Sequence, residues 1–571
     1  MPTTKRSLPI SLEDRVNIGR FVPLRDRGLH ALLGGLTFYL IVITGWPLGR
    51  LLAEVFFSIK DNPSFIKEVL TAPASARAFR NTAEAAFWAS ALSVLVGTLG
   101  ALLVTLTDIR LKRLLSFLIL LPMLIPSQIT ALAWKMMVDF ISKPGSPNPL
   151  YSREGVILVL GIEHSTLVFL SVRASLQGLP WDLVEAARVL GARPLRIIRT
   201  VILPLIAPGI LAGFALSFVA GIGNFGVPAL LGIPGRFPVL TTLIYRKLNG
   251  FGPSVLGETA ILSLALMGLA GLGLSLRAFA SRRVSVAVIK TQSIRSLFPL
   301  GVHRLPVEGG MFLLFLSISL LPLIALAATS FVPAVGVLLT PDTFTLGNYR
   351  AGLSQDAVVR AFSVSLKLST ITALVCVGVS IPLAYCAVIR KVPLSHSLVL
   401  LADAPYAIPG IVVSISMILA FLKPLPLVGS LYGTAGILFI AYASRFLSLA
   451  LMPTLAGAEQ FDRHLEEAAS MAGARTFRRL RTVVFPSVLP SAFSGGLLVF
   501  MAALNEITVS SLLWSAGNET IGVMIYAMHY EGNSPQAAAI SMISVLIVVA
   551  IALTISKLGK SLPEGVIPWR G

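Results

Sequence analysis

The sequence predicts an all-α polytopic membrane protein with about twelve transmembrane helices, built as two homologous six-span halves with pseudo-two-fold symmetry. Three observations predict it. Only 13% of the 571 residues are charged and 55% are hydrophobic, whereas soluble domains carry about 25% charged residues. Apolar stretches long enough to cross about 30 Å of hydrocarbon recur along the whole chain. One polar loop sequence appears twice, 282 positions apart.

The first set of apolar stretches covers 31–54, 83–106, 114–138, 155–173, 205–230 and 256–276. A second set covers 310–333, 361–389, 397–421, 431–454, 487–513 and 537–556. The chain therefore divides into a polar and basic amino-terminal segment, 1–29, a first half, 30–276, a basic linker, 277–309, a second half, 310–556, and a tail, 557–571. Residues 1–29 have no apolar core and so do not read as a cleaved signal. With the amino terminus in the cytoplasm, 30 of the 46 Lys and Arg residues fall on cytoplasmic segments and 12 on outer loops, the other four lying in or at the ends of spans. That asymmetry places both termini inside and accounts for the net charge of +20 without nucleic acid. Cys376 and Cys386 lie in one apolar segment, about 15 Å apart on a helix, which is too far for a disulfide.

The repeated loop reads LVEAARVLGARPLRIIRTVILPLIAP from Leu183 and LEEAASMAGARTFRRLRTVVFPSVLP from Leu465, identical at 13 of 26 positions. Pro122 with Pro405, Pro126 with Pro409 and Gly97 with Gly378 keep nearly the same offset. Each copy reads as two helices around a turn. Asp182 is expected to cap the first of them, Gly191 to supply a left-handed exit and Pro194 to open the next helix. Leu183, Ala186, Ala187 and Leu190 are expected on one face. A small apolar face on each of two matched loops suits two equivalent docking partners.

Glu-Ala-Ala, Gly six residues after the Glu and Pro thirteen residues later still resembles the EAA loop of binding-protein-dependent ABC importer permeases. The match falls on Glu185, Ala186, Ala187, Gly191 and Pro204 within 179–204, and on Glu467, Ala468, Ala469, Gly473 and Pro486 within 461–486. The resemblance implies a type I importer fold in which each loop carries a coupling helix seated on an ATPase subunit. It also implies two copies of that ATPase, which would hold ATP and Mg, a periplasmic substrate-binding protein, and a bacterial inner membrane. No cofactor is expected on this chain, which carries no P-loop: the Gly559-Lys560-Ser561 string lacks the required earlier glycine. The strings PDTFTLGNY from Pro341, PYAIPG from Pro405 and ALNEITVSSLLWSAGNETIGV from Ala503 look most like the ferric iron branch, whose relatives carry polyamines, thiamine, sulfate or phosphonates. An ion-coupled secondary transporter is the rival class, and it has no use for paired EAA loops.

Ionisable groups within spans cost about 2.5–3.5 kcal/mol on insertion scales and need a reason. Glu163 and Arg445 occupy matched positions and are read as an ion pair between the halves. Asn224 and Glu506 are likewise matched and, with Asn505, are candidates for the translocation pathway. Arg236, Arg246 and Lys247 are candidates for docking an acidic partner surface. No catalytic group and no metal-ligand set is expected; His529, Tyr530 and Glu531 read as a solvated outer loop.

Overall fold

The computed structural model describes residues 27–142, 146–250, 252, 254–282, 298–426 and 429–558. The polar amino-terminal segment up to residue 26, residues 283–297 of the linker and the tail from 559 lie outside the described residues. Among the described residues, ten helices are long and apolar enough to cross a membrane, and two bent helix pairs bring the count to twelve. The first half comprises Arg27–Asp61, Pro73–Leu106, the pair Lys112–Leu124 with Ser127–Ile141, Arg153–Gln177, Pro194–Gly223 and Val255–Phe279. The second comprises Gly301–Ser330, Asp356–Ile389, the pair Pro393–Ala407 with Gly410–Phe421, Ala435–Glu459, Thr476–Leu504 and Ser534–Ile551. These are spans one to twelve below.

The third and ninth spans are not the straight helices expected over 114–138 and 397–421. They bend by 108° and 111° at matched prolines, Pro126 and Pro409. A proline forces the preceding residue out of the helical region, and Ile125 (φ −102°, ψ 134°) and Ile408 (φ −87°, ψ 140°) are both extended. Each proline then caps a new limb running in a different direction.

Those second limbs cross between the halves. Gly410–Phe421 packs against spans one and six of the first half, while Ser127–Ile141 packs against spans seven and twelve of the second. Both limbs are largely buried, with Ile129, Ala131, Ile411, Val412 and Ile415 at 0% exposure. Cross-half polar contacts accompany the exchange: Thr44 Oγ1 lies 3.1 Å from Ser444 Oγ, and Arg50 Nε donates to the Leu419 carbonyl at 3.4 Å. The two halves therefore share their cores.

Spans four and five, and spans ten and eleven, approach through small residues at matched positions. A Cβ placed on Gly213 would lie 3.1 Å from Val168 Cα, and one on Gly495 would lie 2.7 Å from Ala450 Cα. One turn away the same contact is made with the partners exchanged. Gly209 faces Ser175 in the first half, and Ser491 faces Gly457 in the second, leaving 2.7 Å and 2.6 Å from a would-be Cβ to the serine Cβ. Without a hydrophobic drive inside lipid, such close approach supplies the packing energy. Gly209→Ala is expected to lower the thermal midpoint of the detergent-purified protein, since overpacking costs about 1–3 kcal/mol. Adding Ser175→Gly should restore the midpoint; a Gly209→Ala protein as stable as the parent would remove this account of the contact.

Candidate functional site: two loop helices and a divided polar cluster

The loop helices are Trp181–Val189 and Arg463–Met471. Gly191 (φ +77°) and Gly473 (φ +78°) both take the left-handed conformation that ends them. The bonding is a Schellman motif in each. Ala192 N–H donates to the Ala187 carbonyl and Gly191 N–H to Arg188, as Ala474 does to Ala469 and Gly473 to Ser470. Pro194 opens the next helix at its first position. The expected cap is corrected: the helix starts one residue before Asp182, and its N-cap is Pro180 with no side-chain bond. Only the second copy has a side-chain cap, Asp462, which accepts from His464 N–H at 3.0 Å.

The exposed apolar face is also adjusted. Leu183, Ala186, Val189 and Leu190 face outward, and Leu465, Ala468, Met471 and Ala472 repeat them at the same offset. Val189 and Met471 are 88% and 90% exposed, whereas Ala187 and Ala469 turn partly inward. Glu185 and Glu467 stand exposed beside this face.

The inner sides differ chemically. Val184 is fully buried in a cluster with Ile197, Ile202 and Ile206. At the matched position Glu466 is buried, 3.0 Å from Arg479 Nη1 and 3.4 Å from Arg390 Nη1, and accepts from Tyr385 Oη at 3.1 Å. Arg479 is itself the counterpart of Ile197. An apolar pair holds one loop helix and an ion pair holds the other.

Past each loop, the helix widens into a π turn at matched residues, Ile198–Ile202 and Leu480–Val484. Pro204 and Pro486 follow at once. Proline offers no N–H and crowds the carbonyl four residues back, and the local answer is a five-residue bond, from Leu203 N–H to Ile198 and from Phe485 N–H to Leu480.

In the spans, the expected Glu163 to Arg445 ion pair is not formed, and each group is held within its own half. Glu163 accepts from the Ser127 hydroxyl and from Asn224 Nδ2, the latter at 3.4 Å. Arg445 donates to the Ile408 carbonyl at 3.1 Å. The reason is the bend: it sets a hydroxyl beside Glu163 and a freed carbonyl beside Arg445, so each finds a closer partner. Gly410, the counterpart of Ser127, makes room, because a Cβ there would lie 2.9 Å from the guanidinium.

Asn224 joins Glu163 and Ser127, and its Oδ1 accepts from Val227 N–H at 3.1 Å. Glu506 accepts from Val509 N–H at 2.7 Å. Asn505 Nδ2 reaches the Leu124 carbonyl of the first half at 3.4 Å, and Gly223 lies against Pro409 of the second. Spans five and eleven thus end on the bend of the opposite half. Ser127 and Glu466 were missed by sequence reasoning, although each adjoins a repeated motif.

Of the candidate docking residues, Lys247 is paired with Glu258, while Arg236 and Arg246 line a cavity with Tyr530 and Glu531 on the face away from the loop helices. His529 lies 2.9 Å from Ser534 Oγ.

The family model described as "Binding-protein-dependent transport system inner membrane component" matches residues 93–286 and 377–558. A probable ABC transporter permease protein, y4fN, of Sinorhizobium fredii is 31% identical over 425 residues, covering 72% of this chain and 73% of the relative. The ferric transport system permease protein FbpB of Actinobacillus pleuropneumoniae is 25% identical over 422 residues, covering 71% of this chain and 58% of the relative. A probable sulfate transport system permease protein, cysT, of Prototheca wickerhamii is 29% identical over 247 residues, covering 41% of this chain and 94% of the relative.

Proposed function

The chain belongs to the family of binding-protein-dependent transport system inner membrane components, and from that membership we propose that it carries ferric iron across the bacterial inner membrane as the permease of an ATP-driven importer. The observation that carries the coupling part is the pair of matched loop helices, each with an exposed apolar face and a left-handed glycine exit. Each face seats on one of two copies of a separate ATPase subunit, which binds ATP and Mg. A periplasmic binding protein delivers the solute to the opposite face, and both termini are cytoplasmic.

The fold supplies a transmission path. Each loop helix continues through a π turn and a proline into span five or eleven, whose far end rests on the other half's bend. Moving the loop helices together on ATP binding shifts both bends at once. Asn224, Asn505 and Glu506, at those far ends, line the pathway. Oxygen-rich side chains suit a hard cation such as ferric iron. The ferric assignment draws on the permeases named for ferric transport, and the same machinery would serve a sulfate, phosphonate, thiamine or polyamine substrate.

Uptake of radioactive ferric iron by iron-starved cells is expected to require this gene. It should fall by about tenfold or more in Glu185→Ala with Glu467→Ala, which corresponds to losing about 1.4 kcal/mol or more of coupling. Co-purification of the ATPase should fall in parallel. Iron uptake independent of the gene removes the ferric reading, and a chain that never associates with an ATPase favours an ion-coupled transporter.

A further inference from the structure

The face opposite the loop helices holds a cavity of about 790 Å³ between the halves. Two matched helices line it, Leu240–Leu248 after span five and Ile521–Tyr530 after span eleven. Its aromatic wall crosses the halves: Tyr245 and Tyr526 ring centroids are 6.4 Å apart, and both rings contact Phe225, at 5.1 Å and 6.2 Å. Phe225 directly follows Asn224, so the cavity stands over the proposed pathway.

Arg77, Arg236 and Arg246 line this cavity, against a single carboxylate, Glu531. All three arginines are exposed and none forms an ion pair among the described residues. Arg236 has φ +52°, a left-handed conformation uncommon outside glycine, at the corner that places it on the wall. A neighbouring cavity of about 650 Å³ shares Arg77 and Arg236 and adds Arg80, which extends the positive field outward, while its Arg153 is paired with Glu84 at 2.5 Å. Guanidinium groups bind carboxylate, phosphate and sulfate oxygens bidentately, and a cavity of this sign repels a bare metal cation.

We propose that this cavity is the receiving vestibule for the solute and that it grips the solute through oxyanion groups. The inference rests on the importer reading above. The oxyanions are either carboxylates wrapped around a ferric ion, giving an anionic complex, or a free oxyanion such as sulfate.

The test uses the purified full chain in lipid nanodiscs and equilibrium dialysis with three probes: radioactive ferric citrate, radioactive sulfate, and hexaamminecobalt(III) as a compact trivalent cation. The parent chain should retain at least one anionic probe and no cobalt complex. Arg77→Ala with Arg246→Ala should weaken that retention by about tenfold or more, since charge-assisted bonds are each about twice as strong as neutral ones. Arg77→Lys with Arg246→Lys should fall between, which separates lost charge from lost folding. Unchanged retention in the alanine variant, retention of the cobalt complex, or failure of both anions to bind overturns the proposal. So does a variant that loses only its association with the binding protein. Sulfate held with ferric citrate rejected keeps the vestibule and ends the ferric reading. Gene-dependent ferric uptake undiminished by the alanine variant does the reverse.

Discussion

Glu466→Ala is expected to abolish transport and to destabilise the second loop helix more than any exposed change on it. Glu466 is 5% exposed and its carboxylate lies 3.0 Å from Arg479, which is 4% exposed. Removing Glu466 leaves Arg479 charged and buried without its carboxylate, with neutral partners such as Ser470 Oγ at 2.8 Å in its place, and breaking a buried pair in this way costs about 3–5 kcal/mol. The first half shows what can replace the pair, because Val184 and Ile197 occupy the two matched positions and are both buried. Glu466→Val with Arg479→Ile should therefore recover much of the stability lost in Glu466→Ala, as apolar replacements of buried ion pairs often do. Arg390, whose side chain is 17% exposed, is left to extend its head group toward water. Thermal unfolding of the permease purified with its ATPase, followed by uptake, measures both. A double variant less stable than the single one would sink the argument.

Much of this is legible in the repeat itself. The offset of 282 located both loop helices, and the Gly191 and Gly473 exits and the Pro194 start follow from backbone chemistry that depends on single residues. Pro126 and Pro409 were recognised as a matched pair, but hydropathy sees composition and not direction, so two limbs at more than 100° read as one span. Glu466 with Arg479 was visible in principle as a paired change against Val184 with Ile197. Identity between the copies marks the positions that agree, and this pair is marked only by its difference. The Glu163 to Arg445 reading failed for a related reason: matched positions across a pseudo-two-fold need not touch, and local donors and acceptors freed by a bend outcompete a distant charge.

Exchanging those two charges tests this last point directly. Glu163→Arg combined with Arg445→Glu is expected to leave transport as low as either single change. Around position 163 the structure offers the Asn224 amide, whose oxygen is already committed to Val227 N–H, and the Ser127 hydroxyl, which donates to Glu163 and accepts from Asn224 Nδ2 at 3.1 Å. An arginine placed there finds no carboxylate, and the hydroxyl oxygen beside it already accepts from the Asn224 amide. Around position 445 it offers an acceptor, the Ile408 carbonyl, which a carboxylate cannot use. Each site then holds a charge in the membrane without its partner, at about 2.5–3.5 kcal/mol on insertion scales. The second half accommodates its arginine by having glycine at 410, where the first half has Ser127, so Ser127→Gly should raise the folded yield of Glu163→Arg by freeing space beside the Ile125 bend. Size-exclusion profiles and solute uptake of the single, exchanged and glycine-containing variants decide it. Recovery of uptake by the charge exchange alone would mean that the two groups face each other across the halves at some stage of transport, and the local pairing would then describe only one conformation of the cycle.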